Sequence, residues 1–77
     1  MDAEKIVIEK IKEIKGKDIK INPDDKLTFD IGLCSFEMCL LICELEDTFN
    51  VQMKFDNFNN GLTVSSLADL IKERNNG

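Results

Sequence analysis

The stretch Ile31-Gly-Leu-Cys-Ser-Phe-Glu-Met-Cys-Leu-Leu-Ile-Cys-Glu-Leu-Glu-Asp-Thr-Phe49 constrains this chain more than any other, because a glycine turn and a serine lead directly into a long apolar helix pattern. At roughly 100° per residue, Met38, Leu41, Ile42, Leu45 and Phe49 share one face. Phe36, Cys39, Leu40 and Cys43 share the opposite face. A chain of 77 residues cannot surround such a helix with core. One apolar side must therefore meet water or something outside the chain. The Phe36 side is the expected docking surface, since Glu37, Glu44, Glu46 and Asp47 flank it and border an apolar strip with carboxylates. Such a strip suits a partner with a basic rim.

Charge narrows the field further. The 15 acidic and 10 basic side chains give a formal net charge of −5. No Lys/Arg cluster is present to neutralise phosphates, which argues against nucleic acid. Residues 1–26 carry seven acids and seven bases, but nothing between Lys26 and Lys54 is basic, and that interval holds Asp30, Glu37, Glu44, Glu46 and Asp47. The negative field is centred on the two-sided helix. Histidine is absent, which removes Ser-His-Asp, Cys-His and His-ligated metal chemistry together. The three cysteines are an odd number crowded between residues 34 and 43, a pattern that does not make a disulfide framework and points to a reducing, cytoplasmic setting. No apolar run has the length of a membrane span or the plan of a signal peptide.

Read in order, the chain predicts one domain over residues 1–77. Asp2 is placed to cap a first helix running to about Lys15, with Ala3, Val7, Ile11 and Ile14 on its inner stripe and Gly16 as a left-handed stop. Ile19/Ile21 and Leu27/Phe29/Ile31/Leu33 alternate as two strands would, with Asn22-Pro-Asp-Asp25 as a turn. An isolated hairpin is marginal, however, and Gly32 would weaken a strand. The preferred reading is a long loop whose apolar residues plug a helical core. Ser35 opens the central helix, which runs to about Phe49. Asp56–Asn60 can form a short helical turn, and Thr63 caps a last helix through about Arg74, with Val64, Leu67, Leu70 and Ile71 facing inward. The expected architecture is an all-α four-helix bundle: three main helices, a short third one and a long first loop.

Ser35 admits two compatible readings. As an N-cap it accepts a bond from a backbone N–H, worth about 1 kcal/mol. As an attachment point it would hold a phosphodiester at the positive end of a helix, where free N–H groups favour an anion. Cys34, Cys39 and Cys43 lack a fourth ligand and a Cys-x-x-Cys spacing, and read as small hydrophobes rather than a metal site. Asp56–Gly61 fails as a calcium loop, because Phe58 stands at a ligand position and Leu67 replaces the closing Glu.

Asp30-Ile-Gly-Leu-Cys-Ser-Phe36, followed by an apolar helix ending Glu44-Leu-Glu-Asp-Thr-Phe49, resembles the acyl carrier protein family, whose attachment motif reads D-x-G-x-D-S-L. The likeness covers the whole chain, including a last helix introduced by Leu62-Thr-Val-Ser-Ser-Leu67. The resemblance implies a four-helix bundle without enzymatic activity of its own. It implies 4′-phosphopantetheine, taken from coenzyme A, on Ser35. It also implies that Phe36, Cys39, Leu40 and Cys43 contact partner enzymes, with Glu37, Glu46 and Asp47 at acidic recognition positions. Two residues around the serine depart from the motif: Cys34 replaces the usual Asp, and Phe36 replaces Leu. Leu40 stands where many members carry an acid.

The expectation is thus a soluble, monomeric, cytoplasmic and free-standing carrier. It would deliver an acyl thioester to enzymes of fatty acid, polyketide or related biosynthesis, after modification by a phosphopantetheinyl transferase. An aminoacyl or peptidyl carrier of the nonribosomal or D-alanyl type is the alternative within the family. A small unmodified helical interaction module is the alternative outside it.

Overall fold

The computed structural model describes residues 2–53 and 61–76. Three helices are present among them: α1 (Ala3–Lys15), α2 (Ser35–Phe49) and α3 (Val64–Asn76). The short helical turn expected at 56–60 lies outside the described residues, as do Phe55 and Phe58.

Each helix begins and ends for local reasons. The Asp2 carboxylate accepts from the Lys5 backbone N–H at 3.4 Å, and Lys12 and Lys15 sit in the last turn, where the helix end is negative. The stop at Gly16 differs from expectation in its geometry: at φ 135°, ψ 141° it is not the left-handed cap conformation, but it is equally unsuited to an L side chain. Its N–H still closes on the Lys12 carbonyl at 2.8 Å. The true left-handed cap is Asn50, at φ 55°, ψ 50°, which ends α2. Thr63 caps α3 as expected, its hydroxyl oxygen accepting from the Ser66 N–H at 3.1 Å. That helix runs to Asn76, beyond the Arg74 end read from sequence.

The expectation of a core-plugging loop holds. Leu27, Ile31 and Leu33 are buried, and Ile19 and Ile21 pack partly against the core. They join Ala3, Val7 and Ile11 of α1, Leu41, Ile42, Leu45 and Phe49 of α2, and Val64, Leu67, Ala68 and Ile71 of α3. Helix α1 packs against both other helices and is the element around which they gather. Phe29 breaks the alternation: it is 65% exposed, and the Lys26 ammonium lies 5.9 Å from its ring centroid. Two apolar neighbours in the loop take the inside places, and nothing remains for Phe29 to fill.

Hydrogen bonds explain how so long a loop is held without strands. The Ser65 N–H donates to the Pro23 carbonyl (2.9 Å) and the Val64 N–H to the Asp25 carbonyl (3.1 Å), so the loop satisfies the free donors at the start of α3. In return the Leu27 N–H donates to the Leu62 carbonyl at 3.0 Å, and Lys26 and Thr63 form an isolated antiparallel bridge. The stretch leading to α2 then folds on itself. The Asp30 and Ile31 N–H groups share the Lys26 carbonyl, and the Leu33 N–H donates to the Leu27 carbonyl at 2.9 Å. The Asp30 carboxylate accepts from the Lys26 N–H at 2.8 Å. No described helix is long and apolar enough to cross a membrane.

Leu45 is fully buried. Leu45→Ala removes core volume that the short elements around it cannot refill, and is expected to cost about 2–5 kcal/mol. A fall in the urea unfolding midpoint at unchanged slope is the measurement.

Candidate functional site

The central helix divides its two apolar faces as the wheel predicts. Leu41, Ile42, Leu45 and Phe49 are buried and Met38 is partly so. Phe36 is 70% exposed and Leu40 is 42% exposed, with Cys39 and Cys43 also at the surface. The strip that the sequence marks as unpartnered is therefore in water, at the N-terminal half of α2. All three cysteines are free and exposed, and no cluster of three or more metal-ligating side chains occurs among the described residues.

Ser35 is the first residue of α2 and is exposed; it is not the cap. That position belongs to Cys34, in extended conformation at φ −83°, ψ 174°. The Glu37 carboxylate reaches back to the Cys34 N–H at 3.0 Å, so the cap is made by a residue inside the helix reaching out. The signal for this was in the sequence, as the spacing of three between Cys34 and Glu37. A serine next to it drew the cap assignment one residue too far. The first intrahelical bond runs from the Met38 N–H to the Cys34 carbonyl at 2.8 Å, which leaves the Ser35 and Phe36 N–H groups at the open, positive end of the helix. Before it, Gly32 at φ 84° makes a turn that an L side chain rarely adopts.

The acidic positions divide differently from the sequence reading. Glu37 is tied to Cys34 and also to the Lys15 ammonium of α1, at 3.3 Å. Lys15 donates in addition to the Gly32 carbonyl, again at 3.3 Å. Glu46 accepts from the Met53 N–H at 2.9 Å through its carboxylate and organises the exit from α2. Asp47 is exposed and its carboxylate has no hydrogen bond or ion pair among the described residues, which leaves it, with Glu44, as the open charge beside the strip. Sequence reasoning missed Lys15 altogether, because a lysine in the last turn of a helix already has an ordinary explanation.

The Cys34 backbone N–H holds the Glu37 carboxyl below its ordinary value, helped by the Cys34 thiol and the Lys15 ammonium and opposed by partial desolvation. A carboxylate depressed in the folded state stabilises the fold at pH values above its unfolded pKa, and this contribution is lost as pH falls through the folded value. Glu37→Gln should therefore weaken the fold at neutral pH and lose less than the parent on acidification to about pH 3. Urea midpoints for both proteins at the two pH values read the difference; equal losses would show that the tie has no energetic weight.

An exposed hydroxyl at a helix start, released from capping and facing free N–H groups, fits a covalently held phosphodiester. No curated protein and no solved structure matches the chain. The family model for the phosphopantetheine attachment site matches residues 5–71, from the first turn of α1 to the buried Ile71 of α3. Its members are carrier domains rather than catalysts; they hold 4′-phosphopantetheine covalently and work with transferases and biosynthetic enzymes. The match spans all three helices and the loop between the first two, and the chain belongs to this family of phosphopantetheine carriers.

Proposed function

We propose that Ser35 is the attachment residue and that the protein carries acyl groups between enzymes of fatty acid, polyketide or related biosynthesis. The observation that carries this reading is the division of labour at the start of α2: Glu37 and Cys34 make the cap, so the exposed Ser35 hydroxyl is left with no structural duty. When bound, 4′-phosphopantetheine supplies a terminal thiol on a long flexible arm, which holds the cargo as a thioester. The chain itself supplies place and recognition. Ser35 sets the root of the arm at the positive end of α2, which favours the phosphodiester charge. The exposed strip of Phe36, Cys39, Leu40 and Cys43 offers apolar contact, and Asp47 and Glu44 beside it, with the outer lone pairs of Glu37 and Glu46, offer charge to enzymes with basic docking patches. A shuttle needs quick and weak encounters, which steering by charge provides.

An aminoacyl or peptidyl cargo is the second reading. Cys34, placed where the acyl carrier motif has Asp, leaves it open by removing a carboxylate from the point at which carriers are read.

Intact mass after incubation with coenzyme A and a broad-specificity phosphopantetheinyl transferase tests the attachment. The parent is expected to gain one phosphopantetheine and Ser35→Ala none; a gain in the mutant would move the site elsewhere. Phe36→Ala and Asp47→Lys test the docking face. Both should slow transfer at low salt while leaving the unfolding free energy within about 0.5 kcal/mol, as for exposed substitutions generally. A large loss of stability in Phe36→Ala would count against a docking role for that ring.

A further inference from the structure

Resting on the reading of Ser35 as the attachment residue, we propose that Lys15 is a positioning residue for the attachment reaction. Its ammonium holds the turn before Ser35 and the helix cap around it in the arrangement that a transferase meets. Two acceptors converge on this one cation, and a third group reaches it through one of them. The Gly32 carbonyl, three residues before Ser35, accepts from Nζ at 3.3 Å. The Glu37 Oε1 atom, on the residue two after Ser35, accepts from the same Nζ at 3.3 Å. That same Oε1 accepts from the backbone N–H of Cys34, immediately before Ser35, at 3.0 Å. The serine is thus bracketed on both sides by groups that lead back to one side chain.

That side chain belongs to an element fixed in the core. Helix α1 buries Val7 and Ile11 completely and packs against both other helices. Buried Ile31 and Leu33 flank Gly32 and anchor the turn from one side, but residues 34–36 are exposed and no residue packs on the core again until Met38, so the tie is a second fixing point across the serine itself. As an ion pair alone, with side chains 27% and 22% exposed, Lys15 and Glu37 would matter little. The shared oxygen changes this, because the carboxylate that pairs with Lys15 is also the helix cap.

Charge and position predict opposite signs for removal of Lys15. Loss of the ammonium makes the acidic face more negative, which by field alone should speed encounter with a basic transferase. Loss of the tie leaves the competent arrangement less populated and should slow modification, most at low salt, where the tie is least screened.

The experiment follows phosphopantetheinylation of the whole protein by a broad-specificity transferase with coenzyme A, at low and high salt. The proteins compared are the parent, Ser35→Ala, Lys15→Arg and Lys15→Met, the last keeping the aliphatic stem and dropping the ammonium. The pH titration of the Cys34 amide resonance is recorded alongside, since that N–H reports on the Glu37 carboxylate. Lys15→Met is expected to lower kcat/KM about fivefold at low salt and by less at high salt, and to raise the midpoint of the Cys34 titration, and Lys15→Arg to restore both. Unchanged or faster modification of Lys15→Met, with the parent modified normally, would overturn the role of Lys15 and leave Ser35 standing. A parent that gains no mass would overturn the attachment reading itself, and this proposal with it.

Discussion

Scarcity of interior governs this molecule. Three helices of 13, 15 and 13 residues can enclose one apolar stripe apiece, and α2 has two. The first stripe, from Met38 to Phe49, goes to the core beside α1, and the second is left in water, with none of the described helices covering it. The loop between α1 and α2 follows from the same shortage. It contributes Leu27, Ile31 and Leu33 to an interior that the helices alone would not fill, and it is held by hydrogen bonds to the start of α3 rather than by a sheet. The proposed attachment residue and the proposed docking strip both lie on what the core could not take in.

Much of this was legible in the sequence, and the reasons are local. The stripes of α1 and α3, the caps at Asp2 and Thr63, and the two faces of α2 depend on spacing and on residue type, which a sequence displays directly. The fate of Phe29 was not legible, since alternation marks a residue as able to be inside without saying whether space remains. Nor was the work of Glu37 and Glu46 as internal acceptors. Each looks like a surface carboxylate on a helix flank until the chain is closed around it. The bond from Glu46 to Met53 spans seven residues, and the tie between Lys15 and Glu37 spans twenty-two. Pattern reading along a helix does not reach either.

Ser35, the proposed attachment residue, illustrates how near a motif can come to the wrong local reason. A serine at a helix start is ordinarily its cap, and the cap here is one residue earlier, served by Glu37. The family match rests on the chain from residue 5 to residue 71 and says that a phosphopantetheine is carried. The structure adds what such a serine needs: exposure, the open end of a helix, and neighbours that bear the structural burden in its place.

The fence of carboxylates beside the strip also bears on what the strip avoids. An exposed phenylalanine and leucine on a protein that must circulate unbound would ordinarily invite a second copy to cover them. Two copies meeting strip to strip would bring Asp47 and Glu44 of each against the same residues of the other, with no basic side chain between Lys26 and Lys54 to relieve the repulsion. An enzyme with a basic rim meets no such barrier. On the proposed reading of this face, the same few acids would separate self from non-self and let the chain keep an adhesive surface in the open.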